Sequence, residues 1–366
     1  MRKAPPHSRL RTALTYIAAG VGALLFAELF MNLISSSTIE KSLWFTGNIH
    51  TPDDKYGFVF TPNYRGWMRH SDNVFLTPIT LDEHGFRLPA GPVTATQRVV
   101  LIGGFSMTFS YGSRDGHALH DVIAGSLTEP SRVYNTAWPG FDQFRNFHIF
   151  RDKWSEKAPP DFAVILFYGE TPWTFDRLPE DFNQFTKEYR GNRNMFLYFD
   201  RVAIEPPANS FELSLGKLYY RSIIVHKLAT RVAKAEESIA TALLDPAAQL
   251  VQKQSLDDSA AVKRTAEWTQ YLQDYFGKGR VLFVFLPGAD PKFNKPDYYA
   301  PLIRALPAGA DYLDLQSTLR SKVAVAGYIG WDHYSEPGGV LVGNAIAAEI
   351  ERVQHRNGRD LPAQIP

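Results

Sequence analysis

VVLIGGFSMTFSYG, residues 99–112, sets four aliphatic residues before two glycines, then Ser106 and a turn into an expected helix. An apolar run closed by glycine marks a buried strand, and the turn after such a strand is where open α/β folds expose a nucleophile. Taken alone, the serine reads also as an ordinary helix cap. Its meaning depends on what the rest of the chain brings to it.

Outward from this stretch, short apolar runs alternate with helical periodicity. Strands are expected over 99–102, 132–136, 162–167, 281–286 and 311–315. Helices are expected over 118–127, through Phe144 to Trp154, and over 213–244 and 257–276, with a last helix after residue 339. That alternation belongs to a parallel sheet covered on both faces, whose ligands bind beyond the carboxyl ends of the strands. Upstream, residues 53–97 read as short strands broken by Pro, Asn and Gly turns, a hairpin beside the main sheet.

The 366 residues are 45% hydrophobic and 13% aromatic, enough for a large core. A net charge of +1 supplies no basic field, so nucleic acid is not an expected partner. The absence of cysteine excludes disulfides, thiolate metal sites and a cysteine nucleophile.

Arg2, Lys3, Arg9 and Arg11 precede an apolar stretch over 13–34, long enough to cross a bilayer. The basic tail, 1–12, places the amino terminus in the cytoplasm and the rest of the chain across the membrane. Glu28 interrupts the run and leaves a cleaved signal peptide as the alternative. Leu29, Phe30, Leu33 and Ile34 continue the apolar character beyond it, with no small-x-small cleavage site, so an uncleaved anchor is favoured. A tether over 35–52, the β-rich lead-in over 53–97, an α/β domain over 98–355 and a tail over 356–366 complete the organisation.

Three further features carry candidate chemistry. Asp82 and His84 are the acid and imidazole of a serine triad, or simply a turn with Gly85. The aromatic, proline-bearing segment over 171–209 reads as a lid or sugar-binding surface, or as an insertion with its own small core. GYIGWDHYSEPGG, residues 327–339, carries Asp332 and His333 on a glycine-rich loop before the last helix, a suitable place for a general base.

Four blocks in this order resemble the SGNH (GDSL-like) hydrolase superfamily: GFSMTFSYG at 104–112, YNTAWPGF at 134–141, FYGETPW at 167–173 and DHYSEPGG at 332–339. The preceding DEHGFR, 82–87, resembles a lead-in common in bacterial members, and the likeness covers about residues 56–353. The resemblance implies a flavodoxin-like three-layer α/β/α sandwich. It makes Ser106 the nucleophile and His333 the base, with Asp332 or a backbone carbonyl orienting the ring. Ser106, Ala137 and Thr171 become the oxyanion donors, and Trp138, Trp173 and Tyr334 substrate-binding residues. Against the family pattern, Phe105 replaces an aspartate, Ala137 a glycine and Thr171 an asparagine. The acid's usual places fall on Gly330 and Trp331. One lost oxyanion donor costs about 2.7–4 kcal/mol of transition-state stabilisation.

Similar anchored proteins modify exported polysaccharides. The expected function is therefore a periplasmic esterase or O-acyltransferase acting on a polymer such as alginate or bacterial cellulose. Its expected partners are a multi-pass membrane acyl carrier and a polymer synthase. The alternative is an inactive relative that binds glycan or scaffolds a secretion complex. No metal or organic cofactor is implied.

Overall fold

The computed structural model describes residues 6–34, 45, 49–53, 55–69, 75–139, 143–154, 160–168, 214, 222, 224–225, 228, 231–232, 259–288, 295, 297–329 and 333–358. Helix α1 (Pro6–Ile34) opens the chain, and its stretch Arg11–Met31 is long and apolar enough to cross a membrane, with none of it buried in the protein. Where one hairpin was expected, the lead-in forms two. Strand β1 (His50–Asp53) pairs antiparallel with β2 (Gly57–Phe60), and β3 (Arg65–Arg69) with β4 (Leu76–Thr80). The expected tether is partly core: Phe45 bridges to Met68 and packs edge-on against Phe60, Phe109 and Tyr111.

Five parallel strands follow: β5 (Gln97–Gly103), β6 (Ser131–Asn135), β7 (Phe162–Phe167), β8 (Val281–Phe285) and β9 (Asp311–Asp314). They lie in the order β6-β5-β7-β8-β9, which is the flavodoxin-like 2-1-3-4-5 arrangement. The chain turns from one side of β5 to the other after β6, so the crevice between the ends of β5 and β7 is the topological switch point. Every residue of β7 and β8 is buried, because helices cover both faces.

Side-chain alternation divides the core in two. Val100, Ile102, Ile165 and Phe283 face α4 (Gln143–Trp154), α5 (Ser259–Phe276) and α6 (Ala300–Arg304), packing with Phe147, Trp268 and Leu302. Val99, Leu101, Val164 and Val284 face the other way, against α3 (Leu119–Ser126), α7 (Leu315–Ala326) and α8 (Glu336–Arg356), with Ile123, Val323 and Ile346. The result is a three-layer α/β/α arrangement. Helix α7 was not expected: Asp314 ends β9 and at once caps the helix, its carboxylate accepting from Ser317 N–H at 3.1 Å. No turn residue separates the two elements. The aromatic segment 171–209 lies outside the described residues, as does most of the helix expected over 213–244.

Candidate active site

Ser106 stands at the switch point on a five-residue helix, α2 (Phe105–Phe109), which begins directly beyond β5. Gly103 permits that sharp return, since a Cβ there would lie 2.4 Å from Thr108 Oγ1. Gly104 caps the helix without a side chain, leaving the first-turn amides free of any cap hydroxyl or carboxylate. Met107 and Phe109 turn into the two cores, and Ser106 is left half-buried at the crevice.

The helix is closed by Ser110, a left-handed residue at φ 63° whose own N–H donates to Met107. Tyr111 N–H donates to the Ser106 carbonyl at 2.9 Å. A non-glycine residue in this region needs outside support. Arg87 supplies it. Its guanidinium, 1% exposed, donates to the carbonyls of Phe109, Ser110 and Ser113 at 3.3, 3.1 and 3.1 Å, and pairs with Asp115 at 2.7 Å. Burial lowers the Arg87 pKa, and the Asp115 charge opposes that shift. Ser110 Oγ meanwhile accepts from Leu119 N–H at 2.8 Å and so starts α3.

His333 reaches Ser106 from the other end of the chain. It lies on β11 (His333–Tyr334), which pairs with β10 (Tyr328–Ile329) in a short hairpin just before α8. Ser335 caps α8 by accepting from Gly338 N–H at 3.2 Å, and donates to the Ala326 carbonyl at 2.9 Å. Hairpin and cap together fix the imidazole, whose Nε2 lies 2.6 Å from Ser106 Oγ. The ring is 2% exposed and packs on Tyr111, with centroids 4.9 Å apart. Ser106, Ser110, Tyr111, Ser113, His333 and Tyr334 line a cavity of about 10 Å³, roughly the room one water needs.

The other expected site residues divide. Asp332, Thr171 and Trp173 lie outside the described residues, as do Gly330 and Trp331. Ala137 is fully buried beyond β6, and its N–H donates to Asn135 Oδ1 at 3.2 Å, so this amide is engaged rather than open to an oxyanion. Trp138, expected among the substrate-binding residues, lies in the core. It is fully buried, stacks on Phe60, lies under the Lys153 ammonium and donates from Nε1 to the Gly85 carbonyl at 2.8 Å. Tyr334 borders the cavity, but its hydroxyl donates to the Pro287 carbonyl at 2.7 Å, and burial raises its pKa well above the usual range. Asp82 and His84 form the turn and not a triad: Asp82 Oδ1 accepts from the N–H groups of His84 and Phe86.

Sequence reasoning gave no individual role to four residues that shape the site. Arg87 is one. Asn135 donates to the Thr108 carbonyl at 2.7 Å, tying α2 to the end of β6. Asn146 donates to the Gly103 carbonyl at 2.6 Å, and Gln143 to that of Leu166, so α4 holds the ends of β5 and β7. What they share, a buried polar side chain donating to a backbone carbonyl distant in sequence, shows only in the fold. Among the described residues no three His, Asp or Glu side chains converge as a metal site requires.

Fold and site together define a doubly wound α/β protein with a serine–histidine pair at the carboxyl edge of its sheet. No protein-family model and no curated protein matches the chain.

Proposed function

We propose that the chain is an SGNH-type acyl-ester enzyme, an esterase or O-acyltransferase that modifies an exported polysaccharide such as alginate or bacterial cellulose. In this reading α1 anchors it in a bacterial inner membrane, with the basic amino terminus in the cytoplasm and the α/β domain in the periplasm. A multi-pass acyl carrier and a polymer synthase are its partners. The observation that carries the reading is the 2.6 Å contact between Ser106 Oγ and His333 Nε2 at the switch point.

The chemistry follows from that contact. His333 Nε2 takes the Ser106 proton as Oγ bonds to an acyl carbonyl carbon. The developing oxyanion is met by the Ser106 N–H, a first-turn amide of α2. Collapse breaks the bond to the donor's oxygen, His333 returns the proton to that oxygen, and the acyl group stays on Ser106. Water or a sugar hydroxyl then attacks the acyl carbon, giving its proton to His333, which passes it to Ser106 Oγ as the bond to the acyl carbon breaks; water leaves a carboxylic acid, and a sugar hydroxyl leaves the new ester. Hydrolysis and transfer differ only in this second nucleophile.

Turnover of an activated acetyl ester by the full chain tests the reading. Ser106→Ala and His333→Ala are each expected to abolish it, and turnover untouched by both sinks it. One observation favours a second reading, a catalytically silent glycan-binding or scaffold component: the Ala137 amide is held by Asn135. Retention of glycan binding by a wild-type protein that turns over no ester would favour that alternative.

A further inference from the structure

Glu28 breaks the apolar run of α1, and no step above uses it. Its carboxylate nevertheless has partners from the far side of the sequence. Oε2 accepts from Ser222 Oγ at 2.9 Å and from the Ile224 N–H at 3.1 Å. Ser222 Oγ in turn accepts from the Val225 N–H at 3.1 Å, the hydrogen bond of an N-cap. Ile224, Val225, Leu228, Arg231 and Val232 are helical. Glu28 thus sits on a first helical turn, where open amides and the helix dipole favour an anion.

The depth of this contact is set by α1. From Arg11 to Glu28 the helix rises about 25 Å, against a hydrocarbon core of about 30 Å. With Arg11 at one headgroup layer, Glu28 lies just inside the opposite one. A carboxylate there is costly unless polar groups reach it, and irregular or polar backbone at that depth comes only from protein that enters with it. The chain's own helix start does both. Leu228 is 61% exposed, and Leu24 and Leu25, one turn before Glu28 on α1, are 60% and 66% exposed. Exposed apolar side chains at that depth are what acyl chains cover.

We infer that Ser222 and the helical residues Ile224, Val225, Leu228, Arg231 and Val232 belong to a membrane-surface element, docked by its first turn on Glu28 at the lipid leaflet opposite Arg11, with Leu228 among the acyl chains. The docking depends on α1 crossing a bilayer and is independent of the Ser106 chemistry. The test uses the full chain in phosphatidylcholine vesicles, where a cysteine-free sequence makes single labels clean. Leu228→Cys carries an environment-sensitive fluorophore, and Val93→Cys, at an 85% exposed position, is the reference.

Lipids bearing a shallow nitroxide are expected to quench the Leu228 label severalfold more than the Val93 label, and aqueous iodide to do the reverse. Glu28→Ala, and separately Ser222→Ala, should move the Leu228 label toward the Val93 behaviour while the protein still floats with the vesicles. Equal quenching of the two labels in floating protein overturns the docking. Protein that fails to float overturns it together with the membrane span. In neither case is the acetyl-ester assay affected as evidence for Ser106.

Discussion

The Arg87 guanidinium donates at 3.1 Å to the carbonyl of Ser110, the left-handed residue that closes the nucleophile's helix. Arg87 comes from the lead-in and Ser106 from the helix that follows β5, so one buried fork joins the two parts of the fold at the site. Replacing Arg87 with Met leaves three buried carbonyls without this donor and removes the Asp115 partner. The expected cost is about 1–3 kcal/mol for each buried carbonyl left without a donor, read in urea unfolding. The remaining folded protein should acylate at Ser106 on the order of tenfold to a hundredfold more slowly, as small misplacements of reacting groups do. Unchanged stability would remove Arg87 from this role.

Trp138 separates a core assignment from a binding one. Trp138→Phe loses the hydrogen bond to the Gly85 carbonyl, which should lower stability by about 1–3 kcal/mol. The KM for a glycan ester should not move, because the indole reaches no solvent. A raised KM with unchanged stability would restore it to the substrate surface.

At Gly343, α8 packs closely on α3. A Cβ there would lie 2.6 Å from Val122 Cγ1, so Gly343→Ala should cost about 1–3 kcal/mol. Val122→Ala in the same chain should return part of that loss, and the two changes should therefore not add. Simple additivity in thermal or urea unfolding would place the helices farther apart.

His120 links stability to pH. It is buried, lies 3.0 Å from the Leu88 carbonyl, and burial lowers its pKa from 6.5 to about 4. The unfolded chain takes up this proton near 6.5 and the folded chain only near 4, so the unfolded state binds more protons between them. Stability from neutral His120 is complete above 6.5 and is lost as pH falls through that window, at up to about 1.4 kcal/mol per pH unit. Urea unfolding across the window should show the slope in the wild type and a flatter one in His120→Gln. Equal slopes would assign the effect elsewhere.

Much of the fold was legible because strands buried on both faces must be continuous apolar runs. Phe162–Phe167 is read without error for that reason. Ser106 was legible as a candidate because it follows an apolar run closed by Gly103 and Gly104, and His333 because it stands on a glycine-rich loop before the last helix. Residues whose partners are distant carbonyls were not. The Arg87 fork, the Asn135 tie to Thr108 and the Asn146 tie to Gly103 have no period or spacing that announces them. Trp138 misled because an aromatic after a strand suits a crevice, whereas its indole turns inward to Gly85. Helix α7 was hidden by Asp314, which serves as strand end and cap at once.

The most direct measurement is covalent labelling of the full chain with a fluorophosphonate, followed by peptide mapping of the adduct. A single adduct on Ser106 is expected, absent in Ser106→Ala and formed roughly 10²–10⁴ times more slowly in His333→Ala. Folded protein that carries no adduct at Ser106, or a His333→Ala variant that labels as fast as the wild type, would contradict a nucleophile activated across the 2.6 Å contact.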